Sequence, residues 1–282
     1  MINYPLLNNN LKTLVSSFKE AKPFSWLIID NFLAPEYCEQ LSAGFIQALA
    51  NKDPNAPKKH CHVARKIGTS SLSLMSPLQQ DFFNEVNGKQ FVSLLEIITG
   101  ITPVYPDHEL AGGGLHEIHS GGYLNVHTDF NVHPKTRKLR ALNLIVYLNK
   151  DWQPAYEGML ELWHPDLKTR LKQIEPIENR AVLFKTNEIS FHGHPVPLKA
   201  PSGFTRRSLA VYYYTDWEKD LIPREKTNYQ LTPTQKSALD EKVANFLDQG
   251  ISKEEELIDA LKNNYDRKNI LQSLKKCRSE KK

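Results

Sequence analysis

Hydrophobic and polar positions alternate in short runs through the middle of the chain, from about residue 110 to about residue 217. Glycine, proline, asparagine and aspartate separate these runs, as they commonly do between strands. The runs with a strand pattern are GGYLNVHTDF, ALNLIVYLN, MLELWH, AVLFKT, EISFHGH and RRSLAVYYYT. Short strands at this spacing predict an antiparallel sandwich or barrel rather than alternating β-α-β units.

The segments on either side of this stretch have mainly helical periodicity. Before it, residues 24–33 predict a single strand, and helices are predicted over residues 36–52 and 77–98. After it, Thr232 is a suitable N-cap for a helix that ends at Gly250. The remaining residues have the pattern of further helices.

These patterns divide the chain into three predicted parts. Residues 1–109 form a strand and helices that support the core, residues 110–217 form the β core, and residues 218–282 form a C-terminal helical extension. The predicted fold class is therefore α+β with a mainly β core. With 282 residues, of which 40% are hydrophobic, the chain is long enough to bury one sizeable core.

Composition and charge argue against several classes of protein. The formal net charge of +4 is small for this length, so we expect no nucleic-acid partner. Cys38, Cys61 and Cys277 are odd in number and widely separated, which argues against a disulfide framework or a zinc-thiolate site. The N-terminal residues lack a signal-peptide pattern and no segment resembles a membrane span, so the expected location is the cytoplasm.

Metal-ligand chemistry is concentrated in two of the predicted strands. His127 and Asp129 are two residues apart, so on a strand their side chains point to the same face. A third ligand is available from His192 or His194 in the segment SFHGHPVP, and the residue pattern alone leaves both open. Two histidines and one carboxylate on one face leave coordination positions free, which is the facial triad of Fe(II) oxygenases.

A basic pair opens the last predicted strand. Alternation places Arg206 and Ser208 on one face and Arg207 on the other. A guanidinium that faces the inside of a barrel needs an anionic partner, and a ligand carboxylate meets that need with two parallel hydrogen bonds. The alternative is that both arginines are surface charges that flank the strand.

The order of these motifs resembles the 2-oxoglutarate/Fe(II)-dependent dioxygenase superfamily, in particular its prolyl 4-hydroxylase-like branch. The resemblance extends from about residue 110 to residue 217 and rests on HTD, VYLNKDW, EGML, SFHG and RRSLAVYYYT. It implies a double-stranded β-helix, a jelly-roll or cupin-like barrel. It also implies Fe(II) as cofactor, 2-oxoglutarate and O₂ as cosubstrates, and ascorbate as a candidate reductant.

The resemblance also assigns roles to residues of this chain. His127, Asp129 and His192 match the iron ligands, since the SxHG context favours His192 over His194. The residues that match the site for the distal carboxylate of 2-oxoglutarate are Arg206, Ser208 and Tyr147. Strand alternation adds Asn143, on the face of Tyr147, and Tyr123 and Asn125, on the face of His127, as candidate lining residues.

One position departs from the family pattern. Many relatives have Gly-Gly-x-Leu where this chain has Glu157-Gly158-Met159-Leu160. The substitution of glycine by Glu157 makes the local turn uncertain but leaves the metal ligands unaffected.

The implied activity is hydroxylation of an aliphatic C–H bond, coupled to decarboxylation of 2-oxoglutarate to succinate. Asp129 favours hydroxylation, because related halogenases lack this carboxylate. A prolyl residue of a protein or peptide is the first candidate substrate; a free amino acid, a sugar or a secondary metabolite are alternatives, and the oligomeric state is open. A non-catalytic ligand-binding barrel is a further alternative. A zinc protease is disfavoured, because the histidines of HEIHS (116–120) are three residues apart and not four as in H-E-x-x-H.

Overall fold

The computed structural model describes residues 1–45, 49, 51–55 and 61–280. In this part of the chain, the strands are β1 Trp26–Asp30, β2 Val63–Thr69, β3 Tyr105–Pro106, β4 Gly114–Thr128, β5 Leu139–Tyr147, β6 Leu160–Trp163, β7 Arg170–Ile174, β8 Arg180–Lys185, β9 Phe191–His194, β10 Arg206–Thr215 and β11 Asn228–Tyr229. The helices are α1 Tyr4–Asn9, α2 Leu11–Glu20, α3 Pro35–Gly44, α4 Pro77–Val86, α5 Lys89–Thr99, α6 Pro233–Asp248, α7 Glu254–Leu261 and α8 Arg267–Glu280.

The strands form one strongly curled antiparallel sheet. Along its main path the order is β1-β8-β5-β10-β4-β9-β6-β7, while β2 and β11 also pair with β4, and β3 pairs with β10. The 15-residue strand β4 pairs with β10 through its first half and with β9 through its second half. Because β4 belongs to both halves of the curled sheet, the strands enclose a cavity between them. The predicted double-stranded β-helix is confirmed.

The first five helices pack against the outer face of the sheet and build the largest apolar cluster. This cluster joins helix residues such as Phe82, Phe83 and Leu95 to strand residues such as Leu144 and Val211. A smaller cluster inside the curled sheet contains Tyr147 and Phe184. The outer cluster thus packs against one face of the sheet and leaves the inner face available for polar side chains.

Local capping signals explain where the helices begin and end. Ser76 and Gln79 form a capping box at the start of α4, and Thr232 and Gln235 form another at the start of α6. Gly100 ends α5 in the left-handed conformation, which glycine adopts without strain. These signals are local in sequence, and α6 begins directly after Thr232, as predicted.

The C-terminal helices α6, α7 and α8 share a separate apolar cluster. Its members are Leu231, Leu239, Val243, Leu257, Leu261, Tyr265, Ile270, Leu274 and Cys277. Polar contacts join this unit to the sheet, since Gln235 Nε2 donates to Asn125 Oδ1 at 2.8 Å and His62 Nε2 lies 3.4 Å from Asp266 Oδ2. The extension therefore covers one side of the strand that carries His127.

Several sequence expectations can be compared directly with these elements. The strand-patterned runs all contain strands, whereas β2, β3, β7 and β11 were not predicted. The sequence of β7, RLKQI, is polar and mostly exposed. The helix expected over residues 36–52 is described as α3 up to Gly44, and residues 46–48 and 50 lie outside the described part of the chain. All three cysteines are free, as expected. Among the described helices, none is both long and apolar enough to cross a membrane.

Candidate metal centre and cosubstrate pocket

His127, Asp129 and His192 lie together at one end of the internal cavity. His127 on β4 and His192 on β9 are direct cross-strand partners, so their side chains share a face. Asp129 follows the end of β4, and its carboxylate lies 3.5 Å from His127 Nε2 and 3.4 Å from His192 Nε2. One ligand atom from each residue lies within 4.8 Å of the others. All three side chains are buried.

Backbone hydrogen bonds orient both imidazole rings. His127 Nδ1 lies 2.8 Å from the carbonyl oxygen of Asn125, and His192 Nδ1 lies 2.9 Å from that of Ser190. A carbonyl can only accept, so in both rings Nδ1 donates and Nε2 is left as an acceptor that faces Asp129. Metal-binding histidines are typically held in this way. Burial, with the neighbouring His127, lowers the pKa of His192 to about 4, so the ring is neutral at pH 7.

A buried hydrogen-bond network holds Asp129. The network includes Arg140, which was not predicted from the sequence. Arg140 Nη2 lies 3.1 Å from Asp129 Oδ2, and Asn143 Nδ2 donates to the same oxygen at 2.8 Å. Arg140 also donates to Asn143 Oδ1, from Nε at 2.9 Å and from Nη2 at 2.8 Å. Burial alone would raise the pKa of Asp129, but the charge of Arg140 holds this pKa well below its usual range.

Arg140 is 1% exposed and is placed by aromatic rings as well as by charge. Its guanidinium carbon lies 3.4 Å from the ring centroid of Tyr212 and 4.6 Å from that of Phe130. The signal that could have identified it is an arginine at the start of the otherwise apolar run LRALNLIVY, since a charge inside a buried strand requires a partner.

The basic end of the cavity is built around Arg206. Its Nη2 donates to the Tyr147 hydroxyl at 3.1 Å, and its Nε donates to the Gly158 carbonyl oxygen at 2.7 Å. Ser208 is the cross-strand partner of Tyr147 and lines the cavity together with Arg206. The three residues expected near the distal carboxylate of 2-oxoglutarate are thus neighbours in space, and Arg206 keeps donors for a ligand.

Arg207 occupies the opposite face of the same strand. Its Nε lies 3.1 Å from Glu117 Oε1 and 3.0 Å from Thr205 Oγ1. Glu117 also lies 3.7 Å from His119, whereas His116 lines the cavity on the other face of β4. The HEIHS segment is therefore a strand whose His116 and Glu117 face in opposite directions, which is incompatible with a zinc-protease helix.

Two of the alternation-based lining residues lie elsewhere. The side chain of Tyr123 donates to the carbonyl oxygen of Cys61 at 2.9 Å, and Asn125 Oδ1 accepts from Gln235. Neither lines the cavity, whereas Leu124 between them does. The register of β4 against β9 shifts between Leu124 and His127, so simple alternation from His127 backwards gives the wrong face. Asn143 does line the cavity, but its amide is already engaged with Asp129 and Arg140.

Glu157 has the backbone conformation expected of the glycine that stands at this position in many relatives. It has φ 59° and ψ −151°, a region that is favourable for glycine and strained for other residues. The backbone conformation is therefore the glycine-type one, although the residue is Glu157.

The cavity between the two ends measures about 250 Å³. Among the described residues that line it, Asp129 is the acidic one, whereas Lys66, Arg140 and Arg206 are basic. Tyr229, from the short strand β11, closes the metal end, and its ring centroid lies 5.3 Å from that of His127. His194 also lines the cavity but is not grouped with the triad. A small dicarboxylate fits the charges of such a cavity.

Comparison with known proteins identifies the class. Residues 113–214 match the family model of the 2OG-Fe(II) oxygenase superfamily, a stretch that contains His127, Asp129, His192 and Arg206. No curated protein sequence matches the chain. A prolyl 4-hydroxylase from Phytophthora capsici has a similar structure, with a TM-score of 0.56 and 17% identity, over 99% of this chain and 90% of that chain.

Two further solved structures are similar at lower TM-scores. The epimerase SnoN of nogalamycin biosynthesis, in complex with Fe³⁺, alpha ketoglutarate and nogalamycin RO, has a TM-score of 0.50 and 12% identity, over 81% of this chain and 98% of that chain. A prolyl-4-hydroxylase from Pseudomonas putida has a TM-score of 0.48 and 17% identity, over 72% of this chain and 98% of that chain.

The fold, the family match and the triad together define an Fe(II)- and 2-oxoglutarate-dependent dioxygenase. The family match covers residues 113–214, and the fold is similar to that of a prolyl 4-hydroxylase. Fe(II) and 2-oxoglutarate are the cofactor and the cosubstrate of that superfamily.

Proposed function

We propose that this protein hydroxylates an aliphatic C–H bond while it converts 2-oxoglutarate to succinate and CO₂. The observation that supports this proposal is the pairing of two sites in one cavity. The His127–Asp129–His192 group lies at one end, and Arg206 with Ser208 and Tyr147 lies at the other. A metal site alone would fit many reactions, whereas a guanidinium in the same cavity fits an oxidation that uses a diacid cosubstrate.

The donor set fits Fe(II). Two neutral imidazole Nε2 atoms and one ionised carboxylate are the ligands of the facial triad, and they leave positions open on the metal. When bound, iron supplies the activation of O₂ and the oxidation of the C–H bond. His127, Asp129 and His192 are the residues that would hold it. Asn143 orients the Asp129 carboxylate through a 2.8 Å hydrogen bond.

The other residues bind and orient the cosubstrate. Arg206 would donate hydrogen bonds to the distal carboxylate of 2-oxoglutarate, since it lines the cavity with N–H donors to spare and its position is fixed by Tyr147 and Gly158. Ser208 adds a hydroxyl beside it. Phe184 packs against His192, with ring centroids 4.6 Å apart, and helps to keep water from the reacting atoms. Asp129 favours hydroxylation over halogenation, because it occupies the position that a halide would need.

For the substrate we propose a prolyl residue of a protein or peptide. The support is the shared fold with a protein described as a prolyl 4-hydroxylase. The same chemistry on a small molecule is the second candidate, because the epimerase SnoN, which has a similar fold, belongs to nogalamycin biosynthesis.

Isotope labelling of succinate tests the reaction directly. Purified protein is reconstituted with Fe(II) and incubated with 2-oxoglutarate under ¹⁸O₂, and succinate is analysed by mass spectrometry. We expect labelled succinate from the wild type and none above background from His127→Ala or Asp129→Ala. His119→Ala is the matched control, because His119 lies on the same strand but outside the triad.

Two outcomes would contradict the proposal. Equal labelling in Asp129→Ala would show that the triad is not the reacting site. Absence of labelled succinate in the wild type, with peptide and small-molecule substrates present, would favour the non-catalytic ligand-binding barrel.

A further inference from the structure

A lysine lies beside Arg206 on the inner face of the sheet. In the strand register, Lys66 on β2 and Arg206 on β10 are both partners of Ile118 on β4, one from each side. Direct cross-strand partners point to the same face, so the two cationic side chains flank Ile118 in one row. Both line the cavity. Neighbouring strands are about 4.8 Å apart, so the two backbones are separated by roughly 10 Å.

A second row of paired residues runs parallel to the first. Gly68 on β2 and Ser208 on β10 are both partners of His116, which also lines the cavity. A Cβ atom at Gly68 would lie 2.9 Å from the His116 ring and 2.6 Å from the Leu115 carbonyl oxygen. The absence of a side chain at Gly68 therefore leaves the space that His116 occupies.

An irregularity in β2 determines the direction of Lys66. The register against β4 shifts between Ala64 and Lys66, and Arg65 between them has φ 49° and is exposed. Bulges of this kind change the direction of a side chain next to a functional site. Here the bulge directs Arg65 to solvent and Lys66 into the cavity.

Two polar groups of this region have no partner within the part of the chain that the structure describes. Neither Nδ1 nor Nε2 of His194 has a hydrogen-bond partner, although the residue is only 2% exposed. No acidic side chain pairs with Lys66 in the same part of the chain, since Asp129, the acidic residue of the cavity, is bound by Arg140. A buried polar group without a partner is rare and costly, so the His194 ring indicates a missing ligand. Lys66 is half-buried and lines the same cavity.

We propose that Lys66, with His116 and His194, forms a carboxylate-binding subsite beside Arg206. Lys66 and Arg206 are two positive charges, and Asp129, the acidic side chain among the described residues that line the cavity, is paired with Arg140. The two sources of the carboxylate are the distal end of 2-oxoglutarate, shared with Arg206, and an acid group of the primary substrate. This inference rests on the proposed function.

The ionisation of Lys66 agrees with this subsite. Burial, and then the charge of Arg206, lowers the pKa of Lys66 to about 8. A bound carboxylate would stabilise the ammonium form, raise this pKa and shield the amine. The reactivity of Lys66 toward an amine reagent near pH 8 is therefore a direct measure of whether an anion is bound.

The first arm of the test measures cosubstrate affinity. Mn(II)-loaded protein, which does not turn over, is titrated with N-oxalylglycine by calorimetry in the wild type, Lys66→Met and Arg65→Met. If Lys66 binds the distal carboxylate, its removal weakens binding about tenfold, or about 1.4 kcal/mol. Arg65→Met is the matched control, because it removes the neighbouring exposed charge and is expected to bind as the wild type does.

The second arm measures the substrate carboxylate. Protein saturated with N-oxalylglycine is treated with an amine-methylating reagent in sodium acetate or in sodium chloride of equal ionic strength, and modification is read by peptide mass spectrometry. Slower labelling of Lys66 in acetate, with unchanged labelling of the exposed Lys135, assigns the subsite to the primary substrate.

The outcomes separate the two hypotheses. An affinity loss in the first arm or protection in the second supports the subsite and identifies its source. Normal affinity in Lys66→Met together with no protection by acetate overturns the subsite and leaves the proposed reaction intact. Failure of the wild type to bind N-oxalylglycine overturns the proposed function and, with it, the subsite.

Discussion

Replacement of Arg140 by methionine tests the buried network behind Asp129. Methionine keeps much of the length and the apolar contacts of the side chain but removes its charge and its donors. In the wild type, the guanidinium lies 3.1 Å from Asp129 Oδ2 and packs on Tyr212. In the variant, the buried carboxylate keeps one donor, the Asn143 amide at 2.8 Å.

The expected loss follows from this geometry. Removal of one partner of a buried ion pair costs about 3–5 kcal/mol, because the remaining charge is left uncompensated. Since Asn143 still donates to the carboxylate, we expect a loss at the lower end of this range. The free energy of unfolding of the metal-free protein should fall by about 3 kcal/mol. A divalent ion at the triad would compensate Asp129 in place of Arg140. The difference in the free energy of unfolding between variant and wild type is therefore expected to be smaller in metal-loaded protein.

The assay is urea unfolding followed by tryptophan fluorescence, with chelator and with excess Mn(II). Arg137→Met is the control, because Arg137 forms an exposed pair with Glu225, which contributes about 0–1 kcal/mol. The reasoning would be refuted by an Arg140→Met loss as small as that of the control, or by a loss that metal does not reduce.

The sign of the pH dependence gives a second check on the same pair. The pKa of Asp129 is depressed in the folded protein, so the stability that it contributes is present above its usual value of 3.8. This contribution is lost as the pH falls through the folded pKa. We therefore expect the difference in the free energy of unfolding between wild type and Arg140→Met to become smaller at low pH in metal-free protein.

Two further predictions concern the cosubstrate pocket and the C-terminal extension. Arg206→Ala is expected to weaken 2-oxoglutarate binding about tenfold or more, as measured by calorimetry, whereas Arg207→Ala has little effect; equal effects would contradict the strand register. Asp266→Asn is expected to lower the free energy of unfolding by about 1 kcal/mol near pH 6, because it removes the carboxylate that pairs with His62, and Asp266 is partly exposed to solvent. Burial alone would lower the pKa of His62, but its hydrogen bond to Asp266 raises it to about 9. The stabilisation is therefore full below about pH 6.5 and lost as the pH rises through about 9. Thermal unfolding of the wild type and Asp266→Asn at several pH values measures it. A difference between the two proteins that does not change with pH would contradict this prediction.

The parts of the site that sequence reasoning found depend on local geometry. The two-residue spacing of His127 and Asp129 predicts that they lie close together, and they do so although Asp129 follows the last residue of β4. The same holds for Arg206 and Ser208. The helix cap Thr232 is equally local, since Thr232 and its hydrogen-bond partner Gln235 are three residues apart.

The parts that it missed depend on register between distant strands. Arg140 faces Asp129 only because β5 enters the curled sheet at that position. Lys66 reaches the cavity only because β2 has a bulge at Arg65, and Tyr123 is excluded from it because β4 shifts register before His127. Alternation within one run predicts none of these, because a bulge adds a residue that the period of two does not contain.

The strand β4 explains how two distant sequence motifs come to share one cavity. His116 and Ile118, near its start, pair with β10 beside the cosubstrate pocket, and His127, near its end, pairs with β9 at the metal centre. A straight strand would carry these positions far apart, at about 3.3 Å per residue. Between them, Gly121 has φ 81°, and a Cβ at Gly122 would lie 2.6 Å from an Ile118 side-chain atom. The glycine pair therefore permits the sharp bend that brings both ends of β4 to the same cavity. The position of the iron ligands is thereby fixed relative to the binding site for 2-oxoglutarate.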